Sequence, residues 1–126
     1  LSPITVYSTF YRADGRKYTH YFSPHESDFA ELVRSNLFKK YELVYKKLPP
    51  STRFQIKPVN RPKQHVLFYK DTIIKGYSGL FQLTAEHPEV LALALDVSLG
   101  VKGSQGFGCI EMIRPVDTGK EVMATR

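Results

Sequence analysis

The sequence has a single cysteine, Cys109, in 126 residues. That excludes an internal disulfide and a zinc site built from several thiolates, and it fits a reducing cytoplasm. The chain also lacks any apolar run near the roughly 18 residues that a bilayer-spanning helix needs, and it opens without a charged-then-apolar leader. The expectation is a soluble, cytoplasmic protein with no membrane partner. Metal chelation is poorly served too. No two of His20, His25, His65 and His87 stand four apart, and no carboxylates cluster around them, so neither a metal nor any other cofactor is expected. Acids are scarce where cations are dense: from Arg34 to Lys75, eleven Lys and Arg residues meet only Glu42 and Asp71. That stretch carries +9, against +6 for the whole chain. Such an excess suits an anionic partner, with solubility as the plainer use.

What is present is the content of one domain, with 42% hydrophobic and 13% aromatic residues. "ITVYSTF" at 4–10 and "KYTHYF" at 17–22 flank an Asp14-Gly15 turn and predict a hairpin, with Tyr18, His20 and Phe22 on one face. Ser23 and Glu26 have capping-box spacing, and Pro24 stands at a first helical position. Phe29, Leu32, Val33, Leu37 and Tyr41 then recur at helical spacing, leaving Arg34, Lys39 and Lys40 off the buried stripe, and Pro49-Pro50 ends the helix. Phe54, Ile56 and Val59 read as a strand that Pro58 places at a sheet edge or at its own end. Residues 65–85 read as a long hairpin about Lys70, Asp71 and Thr72, with Gly76 and Gly79 marking a bulge. A buried helix is expected over 88–99 and a last strand over 109–113. The tail from Arg114 onward has no period and reads as partly disordered. Strand, helix, strand, strand, helix, strand is the βαββαβ order of an α+β, ferredoxin-like (RRM-like) fold: an antiparallel sheet with two helices on one face.

Between the second helix and the last strand lies "GVKGSQGFG", residues 100–108. Nucleotide-binding glycine motifs need a strand before the loop and a helix after it, and here that order is reversed and neither spacing is met. Gly100 suits a helix terminus, and Gly106 or Gly108 a tight return to the sheet. Four glycines with Lys102, Ser104 and Gln105 among them also make a loop whose amides can point outward together, a nest suited to phosphate oxygens.

"SLGVKGSQGFG" resembles the signature loop of the repeat-associated (RAMP) CRISPR proteins, a glycine-rich loop before the last strand. With "LSPITVYSTF", "DGRKYTHYFSPHESDFAELVRSNLFKKY" and "IIKGYSGLFQLTAEHPEVLALALDVSLG", the chain resembles the C-terminal half of the Cas-six type CRISPR endoribonucleases over about residues 1–113. In that likeness Gly100 matches the second glycine of a first pair, Lys102 the basic position, and Gly106, Phe107 and Gly108 the closing triplet. Ser98 stands where the family generally has a glycine. The resemblance implies residues 1–113 as a ferredoxin-like RNA-binding domain, 114–126 as a polar tail, and CRISPR repeat RNA as partner. Further partners implied are an N-terminal ferredoxin-like domain and other CRISPR complex subunits. A start at Leu1, with strand-like sequence three residues on, agrees with an upstream portion.

The resemblance also implies metal-independent RNA cleavage in antiviral defence, the 2′-hydroxyl attacking its own phosphate with help from a base, an acid and a cation. The family's catalytic histidine usually belongs to the other domain, so this domain alone is expected to be weak or inactive. Here the catalytic candidates are His65, in the most basic stretch, and His20, whose plainer reading is a partly buried histidine satisfied on a strand face. The expected RNA contacts are the loop (Gly100, Lys102, Gly103, Ser104, Gln105, Gly106, Phe107, Gly108) and the cations Lys57, Arg61, Lys63, Lys70 and Lys75. Tyr69 and Tyr77 are candidate stacking rings whose commoner role is core. Lys39, Lys40, Lys46 and Lys47 have the plain alternative of a solvated helix face. Two other readings stand beside the endoribonuclease: a non-cutting RNA-binding subunit of a CRISPR effector complex, and an unrelated ferredoxin-like ligand-binding or enzyme domain.

Overall fold

The computed structural model describes residues 3–49, 51, 53–69, 72–101, 107–116 and 120–125. Its elements are β1 (Tyr7–Tyr11), β2 (Lys17–Tyr21), α1 (Ser27–Tyr45), β3 (Phe54–Pro58), β4 (Lys63–Tyr69), β5 (Thr72–Ser78), β6 (Leu80–Ala85), α2 (Pro88–Val97), β7 (Ile110–Val116) and β8 (Lys120–Thr125). This is the expected α+β class, with antiparallel sheets and two helices. The main sheet has the order β3-β6-β8-β7, while β1-β2 and β4-β5 form separate two-stranded ribbons.

Alternation builds the main sheet. Phe54 and Ile56 of β3, and Phe81, Leu83 and Ala85 of β6, point to one face and are buried. The helices cover that face: α1 packs on β3, α2 on β6 and β7, and the helices touch each other. From α1 the stripe Phe29, Val33, Leu37, Phe38 and Tyr41 enters the core as its period requires, whereas Leu32 is only partly buried. Tyr41 is fully buried, and its hydroxyl donates to Glu89 Oε1 at 2.9 Å, tying α1 to the start of α2. Pro88 opens α2, where its missing N–H leaves no bond unmade.

Four expectations are corrected. The capping box is shifted: Ser23–Glu26 form a turn, α1 starts at Ser27, and only the Glu26 half of the box forms, Ser23 N–H donating to Glu26 Oε1 at 2.9 Å. The run 65–85 is not one hairpin, because at Gly79 (φ +147) the chain leaves the β4-β5 ribbon and enters the main sheet as β6. Gly76 is no bulge. It pairs regularly with His65, and a Cβ there would lie 2.7 Å from Thr5 Oγ1, so its lack of a side chain lets the N-terminal strand pack close. The bulge is instead in β7, between Met112 and Arg114.

The fourth correction concerns the tail. Residues 110–116 and 120–125 are strands, and β8 sits between β6 and β7 with Met123 fully buried. A strand bonded on both edges is specified by its neighbours, so a short stretch with one large inward side chain shows little pattern of its own.

The N-terminal strand splits in two. Ile4, Thr5 and Val6 are buried. Ile4 exchanges backbone bonds with Tyr77 of β5, and on the opposite edge Thr5 O accepts Val101 N–H at 2.8 Å. From Tyr7 onward the chain leaves this seam and enters the β1-β2 ribbon.

Candidate functional site

The glycine-rich segment can be followed to its two ends. Lys102, Gly103, Ser104, Gln105 and Gly106 lie outside the described residues, as does Lys70. The ends are held by backbone bonds: Leu99 N–H donates to Gly108 O at 2.8 Å, and Gly108 N–H to Pro3 O at 2.9 Å. Gly100 (φ +77) and Gly108 (φ +78) stand in the left-handed region, and a Cβ would meet Thr5 O at 2.4 Å and Leu99 O at 1.9 Å respectively. At these two positions glycine permits close backbone approach, and the Gly108 amide is spent inside the fold. Phe107 is buried beside them. Ser98, at the position where the resembled family has glycine, adopts φ +71 with its hydroxyl on the Val97 carbonyl.

Lys40 secures this junction. Its Nζ donates to Gly100 O at 2.9 Å, Ser98 O at 3.2 Å and Val97 O at 3.4 Å, collecting carbonyls that the end of α2 leaves open. Half-burial pushes its pKa down, and nearby Cys109 acts in the other direction. Lys40 therefore belongs to the loop's support and not to a solvated helix face, an assignment hidden by its distance from α2 in the chain.

The expected cations do not form one stripe. Lys57 points outward from the edge strand β3, into a cleft of ≈ 1050 Å³ shared with Arg34, Arg53, Glu31 and Glu86. Arg53 and Arg34 are paired there with Glu86 and Glu31. Arg61 is exposed between β3 and β4. In the β4-β5 register Lys63 faces Ser78 and Lys75 faces Val66, which puts the two lysines on opposite faces of the ribbon.

The candidate histidines are both engaged. His65 is half-buried, with Nε2 2.6 Å from Ser78 Oγ. His20 lies edge-on to Phe22 at 4.5 Å, and its Nε2 is 3.1 Å from Glu26 Oε2. The Ser23 N–H first, and then His20, hold the Glu26 carboxyl below the usual range, with burial opposing weakly. Tyr77 stacks on nothing described: its hydroxyl accepts Gln64 Nε2 at 2.9 Å. The Tyr69 side chain lies outside the description.

Sequence reasoning missed the β1-β2 ribbon as a surface. Tyr7, Phe10, Tyr11 and Tyr18 are exposed on it, Tyr11 at 68%. Phe10 stacks on Tyr18 at 5.4 Å and Tyr7 leans on Tyr21 at 5.6 Å. Arg12 lies 5.5 Å from the Tyr18 ring and Lys17 5.8 Å from that of Tyr11. Rings occupy both faces, and both are largely in solvent. The signal was the alternation of Tyr, Phe and His about a turn flanked by Arg12, Arg16 and Lys17. Rings crossed by cations at an exposed edge are what a single-stranded nucleic acid uses, bases stacking and phosphates meeting the charges. Among the described residues no three of His, Cys, Asp and Glu come together to hold a metal, and no helix is long and apolar enough to cross a membrane.

The profile of the family described as CRISPR associated protein Cas6, C-terminal, matches residues 1–112. Among solved structures, a Cas6-related protein of Pyrococcus furiosus is 26% identical with a TM-score of 0.80, over 92% of this chain and 46% of that one. A second, described as CRISPR associated protein Cas6, is 25% identical with a TM-score of 0.73, over 90% and 46%. A third, described as an RAMP protein binding different RNA substrates, shares the fold at TM-score 0.80 and 24% identity, again over 90% and 46%. The chain thus spans about half the length of these structures and shares their ferredoxin-like fold. A search of the curated proteins returns no match.

Proposed function

The chain belongs to the Cas6 family of CRISPR-associated proteins, matching its C-terminal part, and on that premise we propose that it holds CRISPR repeat RNA for a metal-independent endoribonuclease acting on precursor CRISPR RNA. The observation that carries this reading is the β1-β2 ribbon, whose exposed rings and overlying cations the core does not need. A two-stranded ribbon with both faces in water is marginal by itself, and exposed aromatic clusters of this kind mark interaction sites. The net charge of +6 favours a polyanion.

In this reading the glycine-rich segment contributes Lys102 and backbone amides between Val101 and Phe107 to the phosphates, while Gly100, Gly108 and Lys40 fix its two ends. The cleaving base comes from the part of the family's length that this chain does not span. His65 and His20, each held through Nε2 by Ser78 and Glu26 respectively, serve in RNA contact in this reading.

Fluorescence anisotropy of labelled single-stranded repeat RNA against salt tests the binding. Four to six phosphate contacts predict log K falling against log salt with a slope of about −3 to −4 for a single strand. Cleavage in EDTA is expected only when the remaining half of the protein is present. Absence of binding at low salt would overturn the proposal, and binding without cleavage by the two halves together would make the chain a non-cutting RNA subunit.

A further inference from the structure

Beside the exposed rings lies a second feature that the ribbon reading does not use. Where β2 passes β5, Thr19, His20 and Tyr21 face Gln64, Ile73 and Lys75 across a cleft of ≈ 330 Å³. His20 and Lys75 come from opposite ends of the sequence reading, one a catalytic candidate and the other a backbone contact, and the fold brings them to one place. Five of the six lining side chains carry hydrogen-bond donors and none is a carboxylate. Glu26, the partner of His20, accepts from both the Ser23 N–H and the imidazole. It thereby orients the imidazole from outside the six lining residues.

Among the described residues Lys75 has no carboxylate within ion-pair distance, and it is exposed. Gln64 is fixed by its bond to the Tyr77 hydroxyl. The Tyr21 hydroxyl is a donor, its pKa raised by burial and by Tyr7 beside it. Ile73, 49% exposed, supplies an apolar patch next to these polar groups. The volume is at the lower end of the ~300–1,000 Å³ range of small-molecule sites, room for one nucleotide and too little for a duplex.

We propose that the cleft between the β1-β2 and β4-β5 ribbons is a single-nucleotide subsite, with Lys75 and His20 on the phosphate and Tyr21 and Ile73 against the sugar and base. It deepens the RNA reading and rests on it, by assigning one nucleotide of the strand a fixed seat. The seat lies on the opposite side of segment 3–6 from the glycine-rich segment, since Ile4 bridges to Tyr77 and Thr5 to Gly100. A strand seated at both would cross that seam.

The test is an NMR titration of isotope-labelled chain with uridine 5′-monophosphate, with uridine alone and inorganic phosphate alone as separate arms, alongside anisotropy with a labelled single-stranded RNA. Uridine 5′-monophosphate is expected to shift the signals of Thr19, His20, Tyr21, Gln64 and Lys75, and each half of the ligand to bind more weakly than the whole. Lys75→Glu is expected to weaken the nucleotide about tenfold, and His20→Ala to weaken it less, with both variants keeping the wild-type spectrum elsewhere. Cleft signals that stay still while the RNA binds would overturn this inference and leave the RNA reading standing. Cleft signals that move while the RNA fails to bind would keep the nucleotide seat and overturn the RNA reading. Stillness in both arms would overturn both.

Discussion

The four-stranded sheet with its helices and the β1-β2 ribbon are built from similar residues to different ends. In the sheet, Phe54, Ile56, Phe81, Leu83 and Met123 are buried on one face under α1 and α2. In the ribbon, Tyr7 and Tyr11 lie on one face and Phe10 and Tyr18 on the other, and among the described residues no layer covers either face. The N-terminal strand passes from one regime to the other between Val6, 2% exposed, and Tyr7, 36% exposed. Alternation therefore reports strand, and only the presence of an opposing layer reports core. Stability is expected to concentrate in the first region and RNA affinity in the second, and substitutions that separate the two properties sharpen or break that contrast.

The largest effect falls at the seam beside the glycine-rich segment. Gly108→Val places a Cβ against the Leu99 carbonyl in a left-handed backbone and is expected to destabilise by about 3–5 kcal/mol, read from urea denaturation. Lys40→Met removes the donor shared by three carbonyls and is expected to lower stability by about 1–3 kcal/mol in the same assay. Tyr11→Ala acts on the other property. It should leave stability within about 0.5 kcal/mol and weaken single-stranded RNA by about 1–3 kcal/mol, a base-stacking loss read by anisotropy.

The smallest effect is in acid. Because its folded pKa is lowered, Glu26 contributes stability that is present above its unfolded value of about 4.5 and is lost as pH falls through the folded value. Glu26→Gln is expected to flatten that part of the acid limb of stability against pH. An unchanged limb would remove the Glu26 link between ribbon and helix.

Local chemistry made much of this legible. The stripe of α1, Pro88 at the start of α2 and the Asp14-Gly15 turn each follow from a few adjacent residues, and Gly15 has the positive φ (+84) that such a turn requires. What stayed hidden depends on distant partners. Strand β8 is defined by β6 and β7 on either side, and Lys40 looks no different from Lys39 until the carbonyls near residue 98 come to it. Gly76 reads as a bulge until Thr5 and Pro3 are placed over it. At the candidate site the charge excess was legible as a total and not as a surface, because alternation sends Lys63 and Lys75 to opposite faces. The conformation of Ser98 was not legible either, since serine resists the positive φ (+71) that it adopts here.

The contrast between a covered sheet and an uncovered ribbon is tested most directly by replacing Arg12 and Lys17, the two cations lying on ribbon rings, with glutamine together. The thermal midpoint is expected to stay put, repeat-RNA affinity to fall at least tenfold, and the salt slope to shrink by about 1.4 as two single-strand phosphate contacts vanish. An unaltered affinity and slope in the folded double variant would contradict the assignment of RNA to this ribbon.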